Sequence, residues 1–437
     1  MTRNLPSSRK RRMLNFFVAC SLMTIGSAPV SGLELPGPAT ELKGLSEAVP
    51  RTFFGMHLHR ADTTTPWPGV KFGSWRLWDA GVAWPNLEPA KGKWDFRKLD
   101  RYLAMAKLTG VEILLPLGLS PAWASARPAE KSGYGPGLAA EPRDTADWRN
   151  YVRIVAERYK GRIRHYEIWN EPNDKAFFSG QVASMVELTR IASEELKRVD
   201  PEIRLVSPAV TGGGKEIKWL DDFLGLGGGA YVDVIGYHFY VPHTKPEAML
   251  EMISEVRRVM ARRGVDKKPL WNTETGWMNQ SNEQRIEPGS YDSGYWKVLD
   301  QNEAAAYLAR ALIVSWAAGV QRFYWYSWDG GNMGLIEPNS KNMKAPARAF
   351  VTVVRWLEGS RMNNCARQSR VWVCAMTGSE GTAAHIVWTE AETTVPFKVP
   401  SNWRIAEIES LDGTKRRLES GGSDTISLSP MPMRLTP

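Results

Sequence analysis

The sequence predicts an α/β protein: a (β/α)8 TIM barrel followed by a small C-terminal β-sandwich domain. Three observations carry this. Eight short apolar runs alternate with segments of helical period across the middle of the chain, one more helical segment follows the last run, and beyond Gly359 the pattern changes to short strands separated by turn residues. Strand and helix alternating eight times is what a parallel barrel ringed by helices requires.

Taken in order, the strand candidates are Phe53–His59, Ser74–Asp79, Val111–Leu117, Ile163–Asn170, Ile203–Ser207, Val232–His238, Pro269–Thr273 and Gln321–Trp328. Between them Phe96–Leu108, Asp144–Tyr159, Val182–Val199, Pro246–Arg263 and Gln301–Ala318 place apolar residues at i, i+3 and i+4, the signature of one buried helix face. Asp144 and Asp147 suit the start of the second of these as capping residues. The first unit is the weak one, because 60–73 holds two prolines and little room for a helix. Met343–Glu358 closes the barrel, and Val371–Ala375, Ala384–Trp388, Thr394–Val399, Arg404–Ser410 and Thr425–Leu428 supply the sandwich. The expected division is 1–28 leader, 29–50 lead, 51–358 barrel and 359–437 sandwich.

The 437 residues are 43% hydrophobic and 24% charged, which excludes disorder, and the three cysteines exclude a small disulfide scaffold. The net charge of +9 suggests a polyanion partner until its position is considered. Arg3, Arg9, Lys10, Arg11 and Arg12 precede an apolar run from Met13 to Ala28 that is too short to span a bilayer comfortably, as in a secretory signal. An uncleaved anchor is the alternative, and Cys20 is a poor lipoprotein site. Cleavage near Ala28 leaves 51 basic against 47 acidic residues, a net charge of +4. The mature chain is then expected to be periplasmic or extracellular, with no stable membrane span and no nucleic-acid partner. Cys365 and Cys374 remain, flanking a hairpin; an exported protein can close them into a disulfide, and two buried thiols are the alternative.

In such a barrel the chemistry gathers at the carboxyl ends of the strands. There stand His57 and His59, then Arg76 and Asp79, then Asn170 and Glu171, then His238 and Tyr240, then Glu274, and last Trp328 and Asp329. Glu171 and Glu274 end the fourth and seventh strands and face each other across the mouth. Paired carboxylates, one kept protonated and one ionised, suit glycosidic bond cleavage.

Trp169-Asn170-Glu171-Pro172 and Thr273-Glu274-Thr275-Gly276 resemble the acid/base and nucleophile motifs of the clan A retaining glycoside hydrolases. With Trp75-Arg76-Leu77-Trp78-Asp79, Ser120-Pro121-Ala122-Trp123 and the trailing β-domain, the chain from about residue 53 onward is similar to family 39 and its bacterial exopolysaccharide-processing relatives. The resemblance implies a carbohydrate substrate, no cofactor or metal, Glu171 as acid/base, Glu274 as nucleophile, and Asn170 on the sugar 2-hydroxyl. It further implies Arg76 holding Glu274 ionised, Tyr240 donating to Glu274, His57, His59 and His238 on sugar hydroxyls, and Trp328 as the floor beneath the ring. Trp84, Trp123, Trp277 and Trp296 are further stacking candidates, with core packing as their alternative. A monomer is expected, and neither the sugar nor endo or exo action is specified.

Two other readings compete. His57-Leu58-His59, with His238 and Asp329, could build the metal site of a barrel hydrolase, although the fifth strand ends without a histidine. A non-catalytic polysaccharide-binding protein of an export system would keep the barrel but not the turnover.

Overall fold

The computed structural model describes residues 40–284, 286, 296–418 and 425–437, so the expected leader and most of the lead lie outside the described residues. The strands are β1 (Thr40–Leu42), β2 (Phe54–His57), β3 (Ser74–Arg76), β4 (Glu112–Leu117), β5 (His165–Ile168), β6 (Arg204–Val206), β7 (Val210–Thr211), β8 (Ile235–His238) and β9 (Leu270–Thr275). They continue with the short pair β10 (Met278–Asn279) and β11 (Val298–Leu299), then β12 (Arg322–Trp325). The helices are α1 (Trp84–Leu87), α2 (Arg97–Thr109), α3 (Thr145–Tyr159), α4 (Val182–Val199), α5 (Ile217–Gly225), α6 (Met249–Arg262), α7 (Gln301–Ala317) and α8 (Ala345–Leu357).

The sheet order β6-β5-β4-β3-β2-β12-β9-β8-β7 is parallel throughout. β6 and β7 are consecutive pieces of the fifth barrel strand, interrupted at Ser207-Pro208-Ala209, and a parallel bridge between Val206 and Val234 closes the ring. Each of the eight strand candidates falls on a barrel strand. The stretch after β2 forms turns and no helix, as its prolines require.

Strand parity decides what fills the barrel. On β5, Tyr166 and Ile168 pack outward into the main core, which leaves His165 and Glu167 on the inner side. At the amino end, Leu114, Val206, Val234, Trp271 and Tyr324 form a separate inner cluster. The Arg322 guanidinium lies 4.3 Å from the Trp271 ring centre and pairs with Glu112 at 2.6 Å. A packed floor at one end leaves the polar chemistry for the other.

The helices follow their apolar stripes. In α3, capped by the Asp144 side chain on the Ala146 amide, Trp148, Tyr151, Val152, Val155, Ala156 and Tyr159 are buried at helical spacing. α7 is buried on all sides from Ala304 to Ala317, because its neighbours include both α8 and the C-terminal sheet.

The C-terminal strands are β13 (Arg361–Gln368), β14 (Val371–Thr377), β15 (Ala383–Thr389), β16 (Val395–Lys398), β17 (Glu407–Ser410), β18 (Lys415–Arg417), β19 (Thr425–Leu428) and β20 (Met433–Thr436). Seven strands in the order β1-β13-β14-β15-β20-β17-β18 form an antiparallel sheet, and β16 pairs with β19 alone. One face of the larger sheet, including Trp372, Trp388 and Ile386, joins the main core. The other buries Val387, Ile408 and Leu435 together with Ile426 and Leu428 of β19. β1 reaches this sheet from the far end of the chain, with Leu42 opposite Cys365, so residues 40–42 belong with the C-terminal strands and not with a separate lead. Cys365 and Cys374 are opposed on β13 and β14 and joined sulfur to sulfur. Buried Glu247, before α6, ties barrel to sheet by accepting from Arg310 of α7 and Trp388 of β15. Among the described residues no helix is long and apolar enough to cross a membrane.

Candidate active site

Arg76 is the centre of the polar cluster at the carboxyl end of the barrel. It ends β3 and is fully buried, and its guanidinium divides three ways. Nε donates to Glu167 at 2.6 Å, Nη1 to Glu274 at 2.8 Å and Nη2 to the Asn170 carbonyl oxygen at 2.8 Å. A buried cation needs such compensation, and the planar guanidinium can supply bonds in three directions. Glu167 has the parity of the barrel interior, and Gly236 on β8 makes room for it: a Cβ there would lie 2.8 Å from Val206 and 3.3 Å from Glu167 Oε1.

Glu274 lies near the end of β9 and accepts from two donors, Arg76 on one oxygen and the Tyr240 hydroxyl on the other at 2.9 Å. Glu171 follows β5 in a left-handed backbone, φ 43°, as does Trp169 at φ 58°. Such conformations are strained for residues other than glycine and cost of order 1–3 kcal/mol each. The Glu171 backbone N–H is held by Ala209 O at 2.9 Å. His238 ends β8 between the two carboxylates, its Nδ1 2.8 Å from Glu171 Oε1 and 3.9 Å from Glu274 Oε1. One ligand-type atom from each of Glu171, His238 and Glu274 falls within 4.8 Å of the others. The nearest oxygens of the two carboxylates thus lie closer together than the ~6.5–9.5 Å separation of pairs that place a water between them.

Burial pushes both carboxyls up to about 7, against the opposing pull of Thr211 and Arg76 on Glu171 and of His238 and Arg76 on Glu274. One guanidinium faces three buried carboxyls, so one proton is retained by the closely spaced pair near neutral pH. It belongs on Glu171, because Glu274 is the member of the pair in direct contact with the Arg76 guanidinium. Burial also drives the His238 imidazole down to about 4, so the ring is neutral at pH 7. Its Nε2 is buried without a partner among the described residues. The hydrogen therefore belongs on Nδ1, since a bare acceptor is cheaper to bury than an unpaired N–H, and Nδ1–H donates to Glu171.

The pair opens into a cleft of about 970 Å³ lined also by Trp78, Tyr134, Trp296 and Tyr326. Several site expectations need correction. Trp328 does not line the cleft and is not its sugar floor; the aromatic residues that border it are Trp78, itself almost fully buried, with Tyr134, Trp296 and Tyr326. His57 and His59 are buried behind Tyr326, their rings each 5.1 Å from its centre, and do not line the cleft. His238 contacts carboxylates where sugar hydroxyls were expected. Of the other stacking candidates, Trp84 and Trp277 are core residues and Trp123 donates to Glu88 O, whereas Trp296 meets the cleft edge-on to Tyr240. Sequence reasoning missed Glu167 as the second partner of Arg76; a lone acid flanked by outward Tyr166 and Ile168 was the available signal.

The rival metal set is not assembled. Asp329 accepts from the His59 and Arg60 amides and the Thr65 hydroxyl, and His57 Nε2 faces Thr273 O. Among the described residues the group with metal-ligand spacing is Glu171, His238 and Glu274, where Arg76 already supplies the compensating charge.

Residues 70–391 match the sequence profile of the family described as Glycosyl hydrolases family 39. A β-xylosidase of Geobacillus stearothermophilus is 29% identical over 245 residues, which cover 49% of this chain and 44% of that protein. The chain thus spans less than half the length of this curated relative. Among solved structures, a family 39 glycoside hydrolase from Bacteroides cellulosilyticus superposes with a TM-score of 0.69 at 20% identity, covering 90% of this chain and 82% of that one. A monomeric β-xylosidase from Caulobacter crescentus gives 0.63 at 16% identity, covering 91% and 98%. At these identities the superpositions establish the shared fold.

Proposed function

The chain belongs to family 39 of the glycosyl hydrolases, and from that premise we propose that it is a retaining glycosidase working by double displacement. The observation that carries the reading is the pair Glu171 and Glu274, an oxygen of each within 4.8 Å of the other, with Glu274 held by the Arg76 cation and Tyr240 and Glu171 by the neutral His238. Glu274 attacks the anomeric carbon while Glu171 gives its proton to the departing oxygen. Water then enters, Glu171 takes its proton, and the bond to Glu274 breaks. Asn170 lines the cleft with its carbonyl oxygen committed to Arg76, so its amide N–H is the group available to a sugar hydroxyl. Arg76 and Tyr240 hold Glu274 in place and favour its anion.

The β-xylosidase relatives support a β-linked pyranoside as the first substrate to assay. The cleft volume of about 970 Å³ has room for more than one sugar unit and so favours a poly- or oligosaccharide, and the basic-then-apolar leader supports export to the periplasm or beyond, where extracellular polysaccharide is met. A monomer is the proposed state, as the Caulobacter relative is described.

The test compares wild type with Glu171→Gln and Glu274→Gln on aryl β-glycosides and a polysaccharide panel. Loss of turnover in both variants, with azide restoring glycosyl transfer only to Glu171→Gln, is the expected result. Equal product release from all three proteins would refute the assignment.

A further inference from the structure

Asp79 closes the Trp75–Asp79 stretch three residues beyond Arg76, and the double displacement leaves it without a task. It is exposed in the cleft and has a left-handed backbone, φ 55°, which aspartate and asparagine tolerate better than most residues. The Tyr326 hydroxyl donates to its Oδ2 at 2.8 Å and so fixes the carboxylate on the cleft wall. No ion pair to Asp79 occurs among the described residues, in contrast to Glu167 and Glu274, which share Arg76. Trp296 and Tyr134 border the same space and supply aromatic surface beside it.

Acidic residues outnumber basic ones in the rest of the described lining. Asp174 and Glu216 join Asp79 and the pair, and the one lysine among the described lining residues, Lys175, points its ammonium at Gly180 O. A carboxylate fixed by a tyrosine and facing open cleft accepts well from vicinal hydroxyls and better from an ammonium; it repels another carboxylate.

We infer that Asp79 sets the charge selectivity of the cleft, admitting neutral or ammonium-bearing sugar units and rejecting uronate units. This deepens the carbohydrate reading of the site and rests on it.

The test titrates the full chain with methyl β-D-glucopyranoside, its 2-amino-2-deoxy analogue and methyl β-D-glucopyranosiduronate, which differ in charge on one ring. Binding is followed by tryptophan fluorescence, so no turnover is needed. In wild type the uronate should bind about tenfold more weakly than the neutral glycoside, and the amino sugar at least as tightly as the neutral one. Asp79→Asn keeps the Tyr326 hydrogen bond and suits the left-handed backbone, and should abolish most of the uronate penalty. A second measurement needs no variant: raising salt from about 0.01 M to about 1 M shrinks the screening length from roughly 30 Å to 3 Å and should narrow the wild-type ratio. Equal affinities in wild type, or a ratio that survives Asp79→Asn, would overturn the inference. The expected affinity order without cleavage of any glycoside would uphold it and sink the hydrolase reading instead.

Discussion

Replacing Glu171 with Gln should stabilise the folded protein at alkaline pH and bring no such gain at acidic pH. Burial lifts the Glu171 carboxyl from 4.5 to about 7, so between these values the folded protein holds a proton that the unfolded chain has released. The stability that this proton confers is fully present below the unfolded value and is lost as pH rises through about 7. A displacement of about 2.5 units at about 1.36 kcal/mol each gives ~3 kcal/mol. The figure applies to the pair's shared proton and is not doubled for Glu274, whose carboxyl lies within 4.8 Å and is lifted by the same burial. Glutamine keeps the shape and can still meet His238 but cannot ionise. Urea unfolding of both proteins at about pH 4.5 and about pH 8 should therefore show the stability difference moving by ~3 kcal/mol in favour of Gln at the higher pH. A difference that stays constant between the two conditions would refute the reasoning, because the strain would then not come from burying a second negative charge.

The same cluster has other consequences. Arg76→Met leaves Glu167 and Glu274 buried without their cation, and should cost ~3–5 kcal/mol in urea unfolding at neutral pH; a loss below about 1 kcal/mol would mean that the guanidinium is not their main support. The rate constant kcat/KM should fall as pH rises above about 7, where the pair gives up its last proton; His238, held down near 4, cannot be the source of that limb. Chelator should leave activity unchanged, and its loss with recovery on added zinc would replace the carboxylate mechanism with a metal one.

The barrel was legible because its strands are apolar runs bounded by helical period, and Val182–Val199 matches α4 residue for residue. α5 escaped because Ile217–Gly225 is short and comes directly after a glycine run. β13 escaped because Arg361–Gln368 buries just Met362 and Cys365, three positions apart across a register shift, among polar residues, so no period of two shows in the sequence. β1 has three residues, and only its partner 323 positions away makes it a strand. At the site, strand order placed Glu171 and Glu274 at one mouth, and the family resemblance supplied Arg76 and Tyr240 as partners of Glu274, where the structure has them. The aromatic walls could not be placed in this way. β12 ends at Trp325, and past that residue the turn decides which side chains face which way: Tyr326 meets the cleft while Trp328 packs into the core. Trp78 and Trp328 are equally buried, at 3% and 4%, so neither hydrophobicity nor residue type distinguishes the one that lines the cleft.

The most direct test of the central claim is proton NMR of the sugar first released when wild type hydrolyses a β-glycoside that it accepts. Attack by Glu274 and then by water inverts the anomeric centre twice, so the first product should be the β-anomer, with the α-anomer growing in only by mutarotation. An α-anomer as first product would contradict a double displacement and with it the roles given to Glu171 and Glu274.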